Sequence, residues 1–392
     1  QELHSGGVLH RGAQQARVAA ALALLGRPDL PLQTPVRELS VGAQQLVEIA
    51  RALVFDARVI VFDEPTSSLG HHDVQRLFEV IGKLKASGRA VVYISHFLEE
   101  IRAVADRYTV LRDGQTVGDG RLNDVDDGQI VTLMVGRDVD ELFPEVPHTP
   151  GEEFLTVTGL TGRRMPREVS LSLRRGELLG IAGLVGSGRS ELLRSIYALD
   201  VVRSGSVRVG GIEPARSPQA RIRAGLGMLS EDRKGEGLAQ QRSIADNLSL
   251  SNLRPYSKFG WLNRKRRAAA IGDWMQRVEI KARSPQQAVS ELSGGNQQKV
   301  AIARLLHQNA DVLLLDEPTR GIDVGTKAAI YRMLGQLAAK GKAVMFVSSY
   351  LPELMATCDR IAVMQRGRLR DVRPVDQWTA ETIMAAAVGG EG

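Results

Sequence analysis

Three groups of residues have the types and spacing to work on a phosphate ester. The first is Gly183-Leu184-Val185-Gly186-Ser187-Gly188-Arg189-Ser190, which fits the phosphate-loop pattern G-x-x-x-x-G-K-[ST] except that Arg189 replaces the lysine. Its glycines allow backbone N–H groups to turn inward around phosphate oxygens, and a following helix adds positive potential. Ser190 suits a Mg²⁺ ion. Arg189 keeps a cation beside the phosphates, but it is bulkier and planar. The second group is Asp316-Glu317, which ends an apolar run and is repeated as Asp63-Glu64. The aspartates suit Mg²⁺ held through water, and the glutamates can orient or activate an attacking water. The third is Leu292-Ser293-Gly294-Gly295-Asn296-Gln297-Gln298, where Ser-Gly-Gly opening a helix offers a hydroxyl and bare N–H groups to an anion. Each group also has a plainer reading: a glycine turn without ligand, a helix N-cap shared with Thr66 or Thr319, or an ordinary helix cap. The third stands about 20 residues ahead of an apolar strand ending in Asp-Glu, a context that weighs against a plain cap.

The elements that position these groups occur twice. Leu39-Ser40-Val41-Gly42-Ala43-Gln44-Gln45 resembles the Leu292 string, and Asp63-Glu64-Pro65-Thr66 returns as Asp316-Glu317-Pro318-Thr319. Ser95 matches Ser348, Asp106-Arg107 matches Asp359-Arg360, and Gly114 matches Gly367; every pair is 253 positions apart. A gap-free register of this kind indicates two copies of one unit. The second copy reaches upstream to about residue 151, whereas the counterpart of Gly183 in the first copy would fall before Gln1. The first unit is therefore expected to lack its phosphate loop, and a chain opening on Gln1 rather than methionine is expected to be processed, trimmed or incomplete. Residues 143–153, Phe-Pro-Glu-Val-Pro-His-Thr-Pro-Gly-Glu-Glu, contain three prolines and a glycine and are predicted to be a linker. The expected division is 1–142, the C-terminal part of a first domain; 143–153, linker; and 154–392, a second domain.

Short apolar runs such as Val59-Ile60-Val61-Phe62, Ala90-Val91-Val92-Tyr93-Ile94, Val312-Leu313-Leu314-Leu315 and Ala343-Val344-Met345-Phe346-Val347 suit buried parallel strands. Helical stretches, Gln44 to Val54 and Gln297 to Leu306 among them, lie between the strands. That alternation predicts an α/β sheet.

Composition narrows the class. Hydrophobic residues make up 43 % and charged residues 24 % of the 392, as in a globular protein of two or three domains. No apolar run reaches the roughly 18 residues needed to cross a bilayer, so service to a membrane would go through another subunit. The net charge of +6 admits nucleic acid, membrane or phosphate partners. Arg264-Lys265-Arg266-Arg267 is short and lacks the aromatic interleaving of a single-strand binding platform, and no nucleic acid is expected. The single cysteine, Cys358, excludes internal disulfides and cysteine-based metal sites.

With these motifs in place, nearly the whole sequence resembles the ATP-binding cassette family. It is most similar to the tandem ATPases of ribose-, galactose- and xylose-type importers. Strings that carry the likeness are Gly183 to Glu191, Ser230-Glu231-Asp232-Arg233-Lys234, Leu292 to Lys299, Ser348-Ser349-Tyr350-Leu351-Pro352-Glu353 and Met134-Val135-Gly136-Arg137. The resemblance implies an α/β P-loop NTPase fold with two tandem ABC-type nucleotide-binding domains, the first incomplete. It implies ATP and Mg²⁺ as cofactors, with each ATP held between the phosphate loop of one domain and the Ser-Gly-Gly signature of the other. On that reading Glu64, His96 and Glu317 are catalytic. Gly183, Gly186, Ser187, Gly188, Arg189 and Ser190, with Ser40, Gly42, Ser293, Gly294 and Gly295, bind nucleotide, and Asp63, Ser190, Glu231 and Asp316 face the metal. Partners would be a pair of membrane-embedded sugar permease subunits and, indirectly, an extracytoplasmic sugar-binding protein, with the chain peripheral at the cytoplasmic face.

One departure from the family pattern is in the first unit, where Gly70 stands in place of the aspartate seen at Asp323; the others fall on one site. Arg189 replaces the loop lysine, Glu231 the usual glutamine, Ser349 the switch histidine that the first unit has as His96, and Val41 a signature glycine. Asp63, Glu64, His96 and Ser293 to Gly295 keep the consensus. The expectation is one consensus and one degenerate site. Other readings remain open at this stage: a nucleotide-binding remnant that does not hydrolyse, and a soluble tandem-cassette factor acting on ribosomes, which the short proline-bearing joint disfavours.

Overall fold

The computed structural model describes residues 4–5, 8–39, 41–55, 57–66, 71–95, 98–112, 114–135, 143–184 and 186–389. The chain forms two compact units, Gln1–Arg137 and Asp138–Gly392.

In the second unit, strands that are apolar on both faces build a six-stranded sheet. Its order is Leu226–Leu229, Val312–Asp316, Ala343–Val347, Leu178–Gly183, Arg360–Gln365 and Arg368–Pro374; the last strand alone runs antiparallel to its neighbour. Side chains such as Leu313, Leu315, Val344 and Phe346 pack beneath helices on one face. On the other face Leu179, Leu314 and Met345 pack against the helix Arg189–Ile196 and an antiparallel sheet of Val202–Val209, Glu153–Gly162 and Val169–Arg174. Burial on both faces is why these strands read as continuous apolar runs.

The segment expected as a joint is docked on this unit. The Phe143 ring lies 5.2 Å from that of Tyr331. His148 places Nε2 3.2 Å from the Asp359 carboxylate. Val146 fills the space above Gly335, where a Cβ would come within 2.7 Å of it.

The first unit repeats the second element by element at the 253-residue offset. Helices Val41–Val54, His71–Ala86, Leu98–Val104 and Asp127–Val135 correspond to Gly294–His307, Val324–Ala339, Leu351–Thr357 and Ala380–Val388. Val59 pairs with Ala90 in a parallel ladder, as Val312 does with Ala343. The correspondence also runs further upstream than the motifs do. The helix Arg11–Leu24 matches Arg264–Arg277, and the strands His4–Ser5 and Val8–Leu9 match the hairpin Ser257–Lys258 and Trp261–Leu262.

One face of the first unit's sheet packs on helices through Ile60 and Phe62. Its opposite face presents Val59, Val61, Val92 and Ile94, which are 46–60 % exposed. Their counterparts Val312, Leu314, Met345 and Val347 are fully buried.

No helix among the described residues is long and apolar enough to cross a membrane.

Candidate functional site

The strand Leu178–Gly183 ends in the glycine loop, and the helix Arg189–Ile196 leaves it. Side chains are excluded at its two ends. At Gly183 (φ 148°) a Cβ would sit 2.5 Å from the Met364 carbonyl and 2.6 Å from Ser187 Oγ. At Gly188 (φ 100°) it would press on Gly367 and Met165 at 3.0 Å. Gly186 (φ 79°) faces open space. Val185 lies outside the described residues.

Arg189 is buried behind the loop. Its Nη1 donates to the Ser348 carbonyl at 2.6 Å, and Nη2 stands 3.6 Å from Glu317 Oε1. Asp316 and Glu317 end the strand Val312–Asp316 and are both buried. Burial raises the Asp316 carboxyl above its ordinary range, against a hydrogen bond from Ser190 and the charge of Arg189. Burial also pushes Glu317 up to about 7, with the nearby Arg189 charge pulling the other way. Ser349, in the switch position, donates its hydroxyl to Glu317 Oε2 at 3.1 Å. Glu317 holds φ 47°, a strained value for a non-glycine residue. Glu64 holds φ 43°, and its N–H donates to Ile94 O at 2.9 Å as that of Glu317 does to Val347 O at 3.0 Å. The two Asp-Glu turns therefore share one backbone geometry.

The structure thus brings Gly183, Gly186, Ser187, Gly188, Arg189, Ser190, Asp316 and Glu317 together. Ser293 to Gly295 stand elsewhere in the same unit. Ser293 caps the helix Gly294–His307, taking N–H donation from Asn296. A Cβ at Gly294 would meet Gly321 O at 3.2 Å, and one at Gly295 would meet Thr326 Oγ1 at 3.0 Å. Glu231 is partly exposed and ion-paired with Arg320. In the first unit, Asp63 and Glu64 end their strand exposed, and Gly42 lies in the first turn of Val41–Val54. Ser40 and His96 lie outside the described residues.

The residues fit a magnesium-bound polyphosphate. Ser187 Oγ and Asp316 Oδ1 are buried without a hydrogen-bond partner among the described residues, a donor and an acceptor left for a ligand. Among the described residues no cluster of three His, Cys, Asp or Glu side chains could hold a metal. A divalent ion here would therefore draw on phosphate oxygens and water in addition to Ser190 and Asp316.

Two positioning groups, Arg233 and Glu353, lie in strings that carry the family likeness, but the strings alone do not show their roles. Arg233 donates from Nη1 to the Gly294 carbonyl at 2.9 Å and from Nη2 to the Arg320 carbonyl at 3.1 Å, tying the Ser-Gly-Gly turn to the segment after Asp-Glu. Buried Glu353 accepts from Thr319 at 2.7 Å, and from Tyr331 and Ser348. Its counterpart Glu100 accepts from Ser95 at 2.8 Å and from Tyr93 at 2.9 Å. The phenol comes from a helix in one unit and a strand in the other: Phe346 stands at the place of Tyr93, and Phe78 at the place of Tyr331. Only the recurrence of Glu100 and Glu353 at the common offset could have signalled this.

Comparison with known proteins agrees with this geometry. A family model described as ABC transporter matches residues 2–67 and 166–320. A ribose import ATP-binding protein of Rubrobacter xylanophilus is 44 % identical over 386 residues, 98 % of this chain and 77 % of the relative. Similarly named proteins of Streptomyces coelicolor (44 %, covering 98 % of this chain and 76 % of the relative) and Bacillus licheniformis (41 %, 98 % and 78 %) match to the same extent. Among solved structures, the ATP-binding cassette MJ1267 of an ABC transporter superposes with a TM-score of 0.53 at 20 % identity, covering 61 % of this chain and all of the cassette. A nucleotide-free cassette from an ABC transporter gives 0.51 at 21 %, covering 61 % and 96 %. At those identities the structures speak to fold, which is that of an ABC ATPase cassette. With the glycine loop, the Asp-Glu turn and the Ser-Gly-Gly cap in their places on that fold, this chain belongs to the ABC transporter family.

Proposed function

We infer that the chain is the ATP-binding and ATP-hydrolysing subunit that energises monosaccharide uptake through an ABC importer. The observation that carries this reading is the convergence of the glycine loop, Asp316 and Glu317, with Ser187 Oγ and Asp316 Oδ1 buried and unpartnered among the described residues. It stands in a chain 44 % identical over nearly its full length to a protein named for ribose import. The N–H groups of the loop and Arg189 would hold the phosphates, and Ser190 and Asp316 the Mg²⁺. Bound Mg²⁺-ATP supplies the phosphoanhydride whose hydrolysis drives transport. Glu317, raised by burial and hydrogen-bonded by Ser349, would take a proton from water in whatever slow turnover this site supports.

The reading extends to two tandem cassettes facing head to tail. The repeat of the first unit's elements in the second at one offset supports it. One site then joins Asp63, Glu64 and His96 to Ser293, Gly294 and Gly295, and is the hydrolytic one. The other joins Gly183 to Ser190, Asp316 and Glu317 to Ser40 and Gly42, and holds nucleotide with little turnover. A pair of membrane-embedded permease subunits would carry the load, with the chain peripheral at their cytoplasmic face and a sugar-binding protein outside. The test is ATP-driven uptake of ribose, galactose or xylose in proteoliposomes containing the assembled transporter. Glu64→Gln should abolish it and Glu317→Gln should spare most of it. Equal loss from both would overturn the division of labour, and absence of sugar-stimulated turnover the function itself.

A further inference from the structure

The hairpin Ser257–Lys258 and Trp261–Leu262 breaks the rules of a solvent-facing turn. Its two tip residues, Phe259 (φ 48°) and Gly260 (φ 83°), both occupy the left-handed region. Such two-residue turns favour asparagine, aspartate or glycine at the first position. A bulky aromatic there is sterically disfavoured. Phe259 is nonetheless 91 % exposed and Trp261 83 % exposed, so neither ring recovers burial within the fold. The base of the hairpin is firmly held. Buried Tyr256 hydrogen-bonds His307 Nε2 at 2.7 Å with the rings stacked, and Asn263 N–H donates to the Tyr256 carbonyl at 2.8 Å. Below it, Arg267 ties the following helix to Ser249 and Asp246. An anchored base carries an apolar tip into solvent.

Charge completes the pattern. No acidic residue occurs between Asp246 and Asp273, whereas Arg254, Lys258, Arg264, Lys265 and Arg266 are all exposed around the tip. The first unit supplies an internal control. At the same offset its hairpin reads Ser5-Gly6-Gly7-Val8, with glycine for Phe259, valine for Trp261 and serine for Lys258. Its following helix has Arg11-Gly12-Ala13-Gln14 where the second has Arg264-Lys265-Arg266-Arg267. The same scaffold can therefore be built with a tip that lacks both the aromatics and most of the charge.

We propose that this hairpin is a membrane-surface anchor, in which Phe259 and Trp261 enter the interfacial region of an anionic phospholipid bilayer while Lys258, Arg254 and the basic turn at Arg264 to Arg266 contact lipid phosphates. Aromatic rings at the headgroup level with Lys and Arg reaching outward are the composition of interfacial anchors. A two-residue tip suits a deformable surface, and the run of exposed basic residues flanking it in sequence matches an anionic one. The contact goes beyond nucleotide chemistry and cargo, and would orient the second unit at the bilayer independently of a permease.

The test is flotation of the full chain with vesicles of phosphatidylcholine alone or with phosphatidylglycerol, at low and high salt, together with tryptophan emission. Because the first unit carries its own exposed apolar face, the readout is the difference between the native chain and its variants. The native chain should float with phosphatidylglycerol vesicles about tenfold more than with phosphatidylcholine alone, with a blue-shifted emission and release by salt. Phe259→Ser and the triple change Arg264→Gln, Lys265→Gln, Arg266→Gln should each reduce flotation several-fold and abolish the shift, with thermal unfolding unchanged. Variants that float like the native chain would overturn the proposal. So would an absence of flotation, whether Phe259→Ser then impairs transport in the assembled complex, pointing to a permease loop, or a single-stranded oligonucleotide binds the hairpin instead.

Discussion

The guanidinium of Arg189 stands 3.6 Å from the carboxylate of Glu317, and both are buried. A cation from the phosphate loop thus touches the group that would activate water. Arg189 also reaches the Ser348 carbonyl at 2.6 Å, so it spans three segments: the glycine loop, the Asp-Glu turn and the switch. A lysine would offer a point charge without this fork. Arg189→Ala leaves Glu317 buried without its cation and should destabilise the second unit by about 3 kcal/mol at pH 8. Arg189→Lys should cost about 1 kcal/mol, the net worth of the lost bond to Ser348. Urea unfolding followed by tryptophan emission isolates this unit, since Trp261, Trp274 and Trp378 all lie in it. Equal stability of the native and Arg189→Ala chains would show that the contact carries no weight.

The raised carboxyl of Glu317 makes stability depend on pH in a definite direction. Its value moves from 4.5 to about 7 because burial penalises the ionised form. Between those values the folded state binds more protons than the unfolded state, so stability falls as pH rises through the window. Glu317→Gln removes the titration. The variant should match the native chain near pH 4.5 and exceed it by about 3 kcal/mol at pH 8. Urea midpoints of the two proteins measured across that range check the sign, and a gap that stays constant with pH would contradict it.

The sequence carried much of this site because its motifs are local. The glycine loop, Asp316-Glu317 and Ser293 to Gly295 each lie within eight residues, and the constant offset revealed the repeat. Contacts between distant segments were not legible. Arg233 reaches Gly294 and Arg320 across 61 and 87 positions, and neither spacing leaves a pattern in a single chain. The joint shows a different limit. Its prolines read as a linker, yet they hold the backbone extended while Phe143, Val146 and His148 dock on the second unit. The hairpin at 257–262 escaped notice because its strands are two residues each, too short for any periodicity.

Arg233 is the link between two turns that serve different roles, so its loss should loosen both together. Arg233→Ala removes two charge-assisted bonds to carbonyls and should cost about 2 kcal/mol. Amide hydrogen exchange should rise by about tenfold at 295–297 and 321–323 while the sheet strand Val312–Asp316 stays protected. Faster exchange spread evenly over the unit would instead mark Arg233 as a general stabiliser.

The same position in the two units should answer the same mutation differently. Leu314 is fully buried beneath the antiparallel sheet and the helix Arg189–Ile196, and Val61, its counterpart 253 positions earlier, is 60 % exposed. Leu314→Lys places an unpaired ammonium in a close-packed interior and should cost more than about 4 kcal/mol, enough to unfold the second unit at room temperature. In the chain of residues 1–392 alone, Val61→Lys puts the charge in water and should change stability by less than about 1 kcal/mol. Hydrogen exchange in His71–Ala86 and Val324–Ala339, equivalent helices of the two units, follows each unit separately. Strong destabilisation of the first unit by Val61→Lys would mean that its sheet face is covered in solution, against the exposure seen here.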